Sequence, residues 1–242
     1  MLRPPPKKKL LPWKTPIKGC TLKNFAILTI FAALSAPLSA LADVAPVNWT
    51  LWSGLTGATQ QDNAAITVSY TGDQIGVDYS SNVYDVTSSF TSANVINTPG
   101  ANGSILMQGG NSTINNFHFS SAVINPYFAI FSLGQGGAGD VTSSASLDFT
   151  IPFTILSSGA GFWGGGTFLA NGNSIVGNEG NGTLQFIGSF TDISFVTPRQ
   201  ENYYGVTVGL AQVTAVPEPT TYAMLLAGLG LMGLALRRRK SL

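Results

Sequence analysis

The 242-residue sequence contains one cysteine, Cys20, and one histidine, His118. A disulfide framework needs paired cysteines, and a zinc site needs several thiolate or imidazole ligands, so neither is available. Cations are as scarce through the middle of the chain. Of twelve Lys and Arg, seven precede residue 24 and four occupy 237–240, which leaves Arg199 alone between them. Over residues 43–216 that arginine faces ten acids, a net charge of −9. The phosphate backbone of nucleic acid is held chiefly by Lys and Arg, so the balance argues against a nucleic-acid partner and for divalent cations, neutral glycans or basic surfaces. No stretch of 43–215 keeps a 3.6-residue apolar period, which argues against a helical body.

What is present begins with an export signal. Arg3, Lys7, Lys8, Lys9, Lys14, Lys18 and Lys23 form a positive region, Phe25 to Leu38 an apolar core, and Ala40-Leu41-Ala42 a small-x-small site for signal peptidase. Residues 1–42 are read as a signal peptide and Asp43 as the first residue of the exported chain. An uncleaved anchor is the alternative, but an apolar core of that length is short for a membrane span. Cys20 precedes the apolar core, whereas a lipidated cysteine would follow it.

Residues 43–215 predict an all-β domain, a single antiparallel β-sandwich or jelly roll of about ten short strands. Ile66 to Tyr70 and Ile75 to Tyr79 alternate apolar and polar side chains around Thr71-Gly72-Asp73-Gln74, the pattern of a hairpin. Leu147, Phe149, Ile151, Phe153 and Ile155 share one face of a second expected strand, whose Pro152 places it at an edge or a bulge. Asn171-Gly172 predicts a two-residue hairpin turn. The change of parity between Phe190 and Ile193 predicts a bulge near Thr191-Asp192, and Tyr204, Val206, Val208 and Leu210 a last strand.

Chemistry is harder to find. Gly134 to Gly139 has the spacing of a dinucleotide loop and follows an expected strand at Phe128 to Leu133, but residues 140–146 lack helical character, so no cofactor is expected. His118 lies between Phe117 and Phe119 and is read as a strand residue facing away from them, since catalysis or metal binding would require partners the chain lacks. Structural calcium is the one metal the acids could hold, with Asp73, Asp78, Asn82, Asp85, Asp140, Asn178 and Glu179 as oxygen donors, although no loop motif assembles them. Two carboxylates would suffice for glycoside hydrolysis, and the sequence does not say which would pair.

The closing segment, residues 216–242, reads in three parts: Pro217-Glu218-Pro219, an apolar run from Thr220 to Leu236, and Arg237-Arg238-Arg239-Lys240. The run is expected to form one short transmembrane helix, with the basic residues of the 237–242 tail held cytoplasmic. In order and spacing this resembles the PEP-CTERM sorting signal of exopolysaccharide-producing Gram-negative bacteria. The resemblance implies recognition at Pro217, Glu218 and Pro219 by exosortase, a membrane cysteine peptidase-transpeptidase, after transient anchoring in the inner membrane. It covers only the last 27 residues and does not transfer a function to 43–215. For that domain three readings stay open. The leading one is a non-enzymatic surface or matrix protein associated with exopolysaccharide, followed by a lectin-like glycan- or calcium-binding module and then a secreted glycan hydrolase.

Overall fold

The computed structural model describes residues 44–134, 145–213 and 225–233. The first two stretches belong to one compact unit, which is built almost wholly of β-structure. Its described residues form fifteen strands in two antiparallel sheets. One sheet holds β1 (Asn48–Trp49), β5 (Gly76–Asp78), β6 (Ser104–Met107), β8 (Tyr127–Leu133), β10 (Thr154–Gly159), β13 (Gly180–Gln185) and β15 (Tyr204–Leu210). Its order is β10-β13-β8-β15-β6-β5, with β1 also paired to β15. The other holds β2 (Leu51–Ser53), β3 (Thr56–Gln61), β4 (Ala64–Thr71), β7 (Asn115–Ile124), β9 (Ala145–Phe149), β11 (Phe168–Asn171), β12 (Ser174–Gly177) and β14 (Ser189–Val196). These run in the order β11-β12-β9-β14-β7-β4-β3-β2.

The sheets face each other across one apolar core, as the alternation of apolar and polar residues requires. Phe117 of β7 meets Phe128 of β8 edge to face, with ring centroids 5.1 Å apart, and the contact joins the two sheets. A second apolar cluster covers the outer face of β8 and β15, where Val47, Trp49, Val83, Tyr84, Phe90 and Val95 pack on Tyr127, Ala129 and Phe131. Two short helical turns, η1 (Ser81–Tyr84) and α1 (Thr87–Phe90), carry part of that cover. Every residue of β8 and of β15 is therefore buried, and β8 reads as a near-continuous apolar run, broken only by Ser132, rather than an alternating strand.

Two sequence expectations are corrected. Residues 66–70 and 75–79 do not form a hairpin: β4 pairs with β3 and β7, while β5 pairs with β6 in the opposite sheet. The chain crosses between sheets at Thr71 to Gln74. The buried Asn115 holds that crossing, its Oδ1 accepting the Asp73 N–H at 2.8 Å. Gly72, at φ +135°, lies so close that a Cβ there would sit 2.4 Å from the same oxygen. Likewise, the strand expected from Leu147 to Ile155 is two strands. Pro152 lies between β9 and β10, which belong to different sheets, so the proline that cannot join a ladder marks a crossover, and the strand it leads into, β10, is an edge strand with a bulge between Ile155 and Ser157. Phe149 is buried, and Ile151 and Phe153 still pack on the core.

Elsewhere the reading holds with small shifts, except that the described residues form fifteen strands where about ten were expected. Asn171 pairs with Ser174, so the turn residues are Gly172, at φ +60°, and Asn173, one position beyond those expected. The register of β14 against β7 shifts between Phe190 and Asp192, which is the expected bulge.

Candidate functional site

The sequence-derived sorting residues fall mostly outside the described residues: Ala40, Ala42 and Asp43, Pro217, Glu218 and Pro219, and Arg237, Arg238, Arg239 and Lys240. Of the expected membrane helix, residues 225–233 are described and are helical, and the remainder of 220–236 is not. Leu225, Leu226, Leu229, Leu231 and Met232 are all more than half exposed, so the described part of this helix is both apolar and exposed. Nine residues rise about 13 Å, and among the described residues no helix is long and apolar enough to cross a membrane.

The expected calcium donors are not brought together. Asp73 Oδ2 accepts the Gly109 N–H at 3.0 Å, Asp78 accepts the Tyr203 hydroxyl at 2.6 Å and the Ser80 N–H at 2.8 Å, and Asn82 and Asp85 belong to η1 and its C-terminal flank. Asp140 lies outside the described residues. Among the described residues no three His, Cys, Asp or Glu side chains cluster as a metal site would require. His118 stands on the exposed face of β7, opposite the fully buried Phe117 and Phe119, and its Nδ1 lies 2.9 Å from Asp192 Oδ1.

Glu179 does belong to a site, one that the sequence did not reveal. A cleft of about 310 Å³ is lined by Ser132, Gly134, Trp163, Glu179, Glu201, Asn202 and Tyr203. A wider groove along Val47–Leu51 and Ala58–Gln60 has no titratable side chain in its lining. The cleft originates in a bulge where Asn181 of β13 opposes both Phe131 and Ser132 of β8. The extra residue switches the strand's parity: Phe128 and Ile130 face the inner core, Phe131 the outer cluster, and Leu133 the inner core again. Ser132 and Glu179 both hold positive φ, +56° and +54°, a conformation that costs a non-glycine residue on the order of 1 kcal/mol or more. Their side chains meet there, Ser132 Oγ donating to Glu179 Oε1. The buried Asn181 braces the bulge by accepting the Ser132 N–H at 2.9 Å and donating to the Glu179 carbonyl at 2.9 Å.

The cleft's aromatic wall comes from a tight turn. Gly161 and Gly164 exchange backbone hydrogen bonds of 2.8 and 3.0 Å, so Phe162 and Trp163 occupy the tip, both about half exposed. Gly165 lets the turn lie against the cleft floor, since a Cβ there would be 2.2 Å from the Glu179 carbonyl oxygen. The Trp163 ring leans on Phe131 at 6.1 Å and meets Tyr203 edge-on at 5.5 Å.

Glu201 is only 5% exposed, and its carboxylate accepts N–H groups of Gly134 and Tyr203. Burial raises its pKa to about 8, Glu179 adds to the rise, and the two backbone donors oppose it. Glu201 is therefore a neutral acid at pH 7, able to donate a hydrogen bond. Burial also pushes Asp78 up, but hydrogen bonds from Tyr203 and Ser80 outweigh it and hold the carboxyl below its ordinary range. The Tyr203 hydroxyl is raised by burial and by its bond to Asp78.

The raised Glu201 pKa has a measurable consequence. The folded state keeps a proton that the unfolded chain loses near the ordinary value of 4.5, so this group's stabilisation is full below 4.5 and is lost as pH rises through about 8. Within that window the slope approaches roughly 1.4 kcal/mol per pH unit. Urea unfolding at pH 5 and pH 8 should show a lower midpoint at pH 8, and Glu201→Gln should remove most of the difference. An equal difference in the variant would place the titration elsewhere.

No sequence motif marks this cleft, because its residues come from four separated stretches and meet only through the β8–β13 bulge. The one local sign was the run Gly161 to Gly166, where two large aromatics stand exposed among glycines. No curated protein and no solved structure matches the chain. Residues 215–240 match the family model of the PEP-CTERM protein-sorting motif, so the chain carries that sorting signal, which implies export and delivery to exosortase.

Proposed function

We propose that the chain is an exported surface or extracellular-matrix protein that acts without catalysis and associates with exopolysaccharide. A signal peptide cleaved after Ala42 exports it, and residues 220–236 anchor it transiently in the inner membrane with Arg237–Lys240 on the cytoplasmic side. Exosortase then cuts near Pro217-Glu218-Pro219. The match over residues 215–240 carries this reading. Two further observations support it. The helix at 225–233 carries no polar side chain on any face, as a lipid-facing segment would. The body has no lysine and a net charge of −9, which favours a neutral glycan over an anionic one. Fractionation of an exopolysaccharide-producing host tests it. The protein should appear in the polysaccharide fraction, be released by glycan digestion, and stay in the membrane when exosortase is deleted. Recovery as free soluble protein whatever the glycan would contradict the association.

A second reading, a glycan hydrolase, is favoured by one observation: Glu179 and Glu201 share a cleft, and Glu201 is held protonated. Release of reducing ends from host exopolysaccharide, lost in Glu179→Gln and in Glu201→Gln, would establish it.

A further inference from the structure

We propose that the cleft between Trp163, Glu179, Glu201 and Tyr203 binds one neutral pyranose unit, its C–H face on the Trp163 ring and its hydroxyls on the two glutamates. The assignment rests on the polysaccharide association proposed above and gives it a site.

Three features of the cleft select this ligand. Its volume of about 310 Å³ lies at the lower end of the range for small-molecule sites, about 300–1,000 Å³, and suits a single ring rather than an extended chain in cross-section. Trp163 is 48% exposed, yet Phe131 and Tyr203 pack against it, so it offers a fixed flat surface to an amphipathic ring at little entropic cost. The polar groups are complementary to hydroxyls, which both donate and accept. The Glu179 carboxylate accepts, the neutral Glu201 carboxyl can donate, and Asn202 lines the same wall.

A quaternary ammonium ion is the competing ligand, since aromatics beside acids can form a cation cage. Here the rings are in contact, at centroid separations of 5.5 and 6.1 Å, and leave no gap between them for a methylammonium group. Polar satisfaction at the cleft floor is also local: the Ser132 hydroxyl and the Gly134 N–H already hold the two carboxyl groups in place, which preorganises them for a neutral partner.

Fluorescence can isolate the site. Of the tryptophans in the body, Trp49 and Trp52 are buried and Trp163 is exposed, so acrylamide quenching reports chiefly on Trp163. The protein purified in mild detergent would be titrated with glucose, galactose, mannose and their β-linked disaccharides, and with tetramethylammonium chloride. At least one sugar should protect Trp163 saturably in the millimolar range. Saturation-transfer signals from that sugar should weaken at least tenfold in Trp163→Ala and in Glu179→Gln, each variant still unfolding in one cooperative transition above the assay temperature, while Trp163→Phe retains part of the binding. Protection by tetramethylammonium and by no sugar would overturn the proposal in favour of a cation site. Retention on host polysaccharide that Trp163→Ala leaves intact would also overturn it, with the association itself standing. Failure of wild-type protein to be retained on host polysaccharide would instead remove the association, and sugar protection of Trp163 would then decide the cleft separately.

Discussion

Truncating Phe149 to alanine is expected to destabilise the β-sandwich by about 3–5 kcal/mol, among the largest effects of any single substitution in this chain. The ring sits at the end of β9, where four other aromatics close around it: Phe186 at 5.0 Å, Phe195 at 5.3 Å, Phe153 at 5.5 Å and Phe128 at 5.8 Å between centroids. These neighbours come from both sheets, and rings packed at edge-to-face angles cannot slide in to fill the void. Urea unfolding measures the loss. As a control, Leu169→Ala on edge strand β11, 68% exposed, should change stability by no more than about 0.5 kcal/mol. A Phe149→Ala loss as small as the control's would mean that this cluster is not the core that joins the sheets.

Replacing Pro217, Glu218 and Pro219 together with alanine should convert a released protein into a membrane-bound one. Proline keeps the backbone out of a helix and removes its hydrogen-bond donors, so the triplet is expected from its sequence to leave an extended segment open to a peptidase. Three alanines would instead allow the helix of the apolar run to continue through the site. That run, Thr220 to Leu236, is 17 residues and roughly 25 Å as a helix, against a hydrocarbon core of about 30 Å, which is marginal for a permanent anchor. Immunoblots of membrane and released fractions should show the variant retained with its basic tail. Release at the wild-type level would mean that the triplet is not what exosortase reads.

How much of this was legible in the sequence depended on the range over which each signal acts. Strand identity is local, and the alternation at Tyr204 to Leu210, the bulge between Phe190 and Asp192 and the turn at Gly172 were all readable within a few residues. Sheet membership is not local. The crossings at Thr71–Gln74 and at Pro152 look like a hairpin and one continuous strand, because the same glycine and proline that turn or edge a chain within a sheet also carry it between sheets. The cover over β8 and β15 was equally hidden, since Val83, Tyr84 and Phe90 sit in short helical turns with no periodicity. The cleft was the least legible. Glu179 appeared only as an oxygen donor for calcium and Glu201 only as one of ten acids, and their pairing depends on the positive φ at Ser132 and Glu179 beside a bulge that no local pattern announces. The sorting signal behaved in the opposite way, with all three of its parts contiguous in 216–242.

The most direct test of the account as a whole is the mass of the protein that an exosortase-containing host releases. Cleavage after Ala42 and near Pro217–Pro219 leaves a chain that begins at Asp43, contains no lysine and contains a single arginine, Arg199. Its intact mass should correspond to that span, and trypsin should yield only two fragments, Asp43–Arg199 and a second beginning at Gln200. A released protein that still contains Lys23 would contradict the cleaved signal peptide, and one that retains Arg237-Arg238-Arg239-Lys240 would contradict the sorting route.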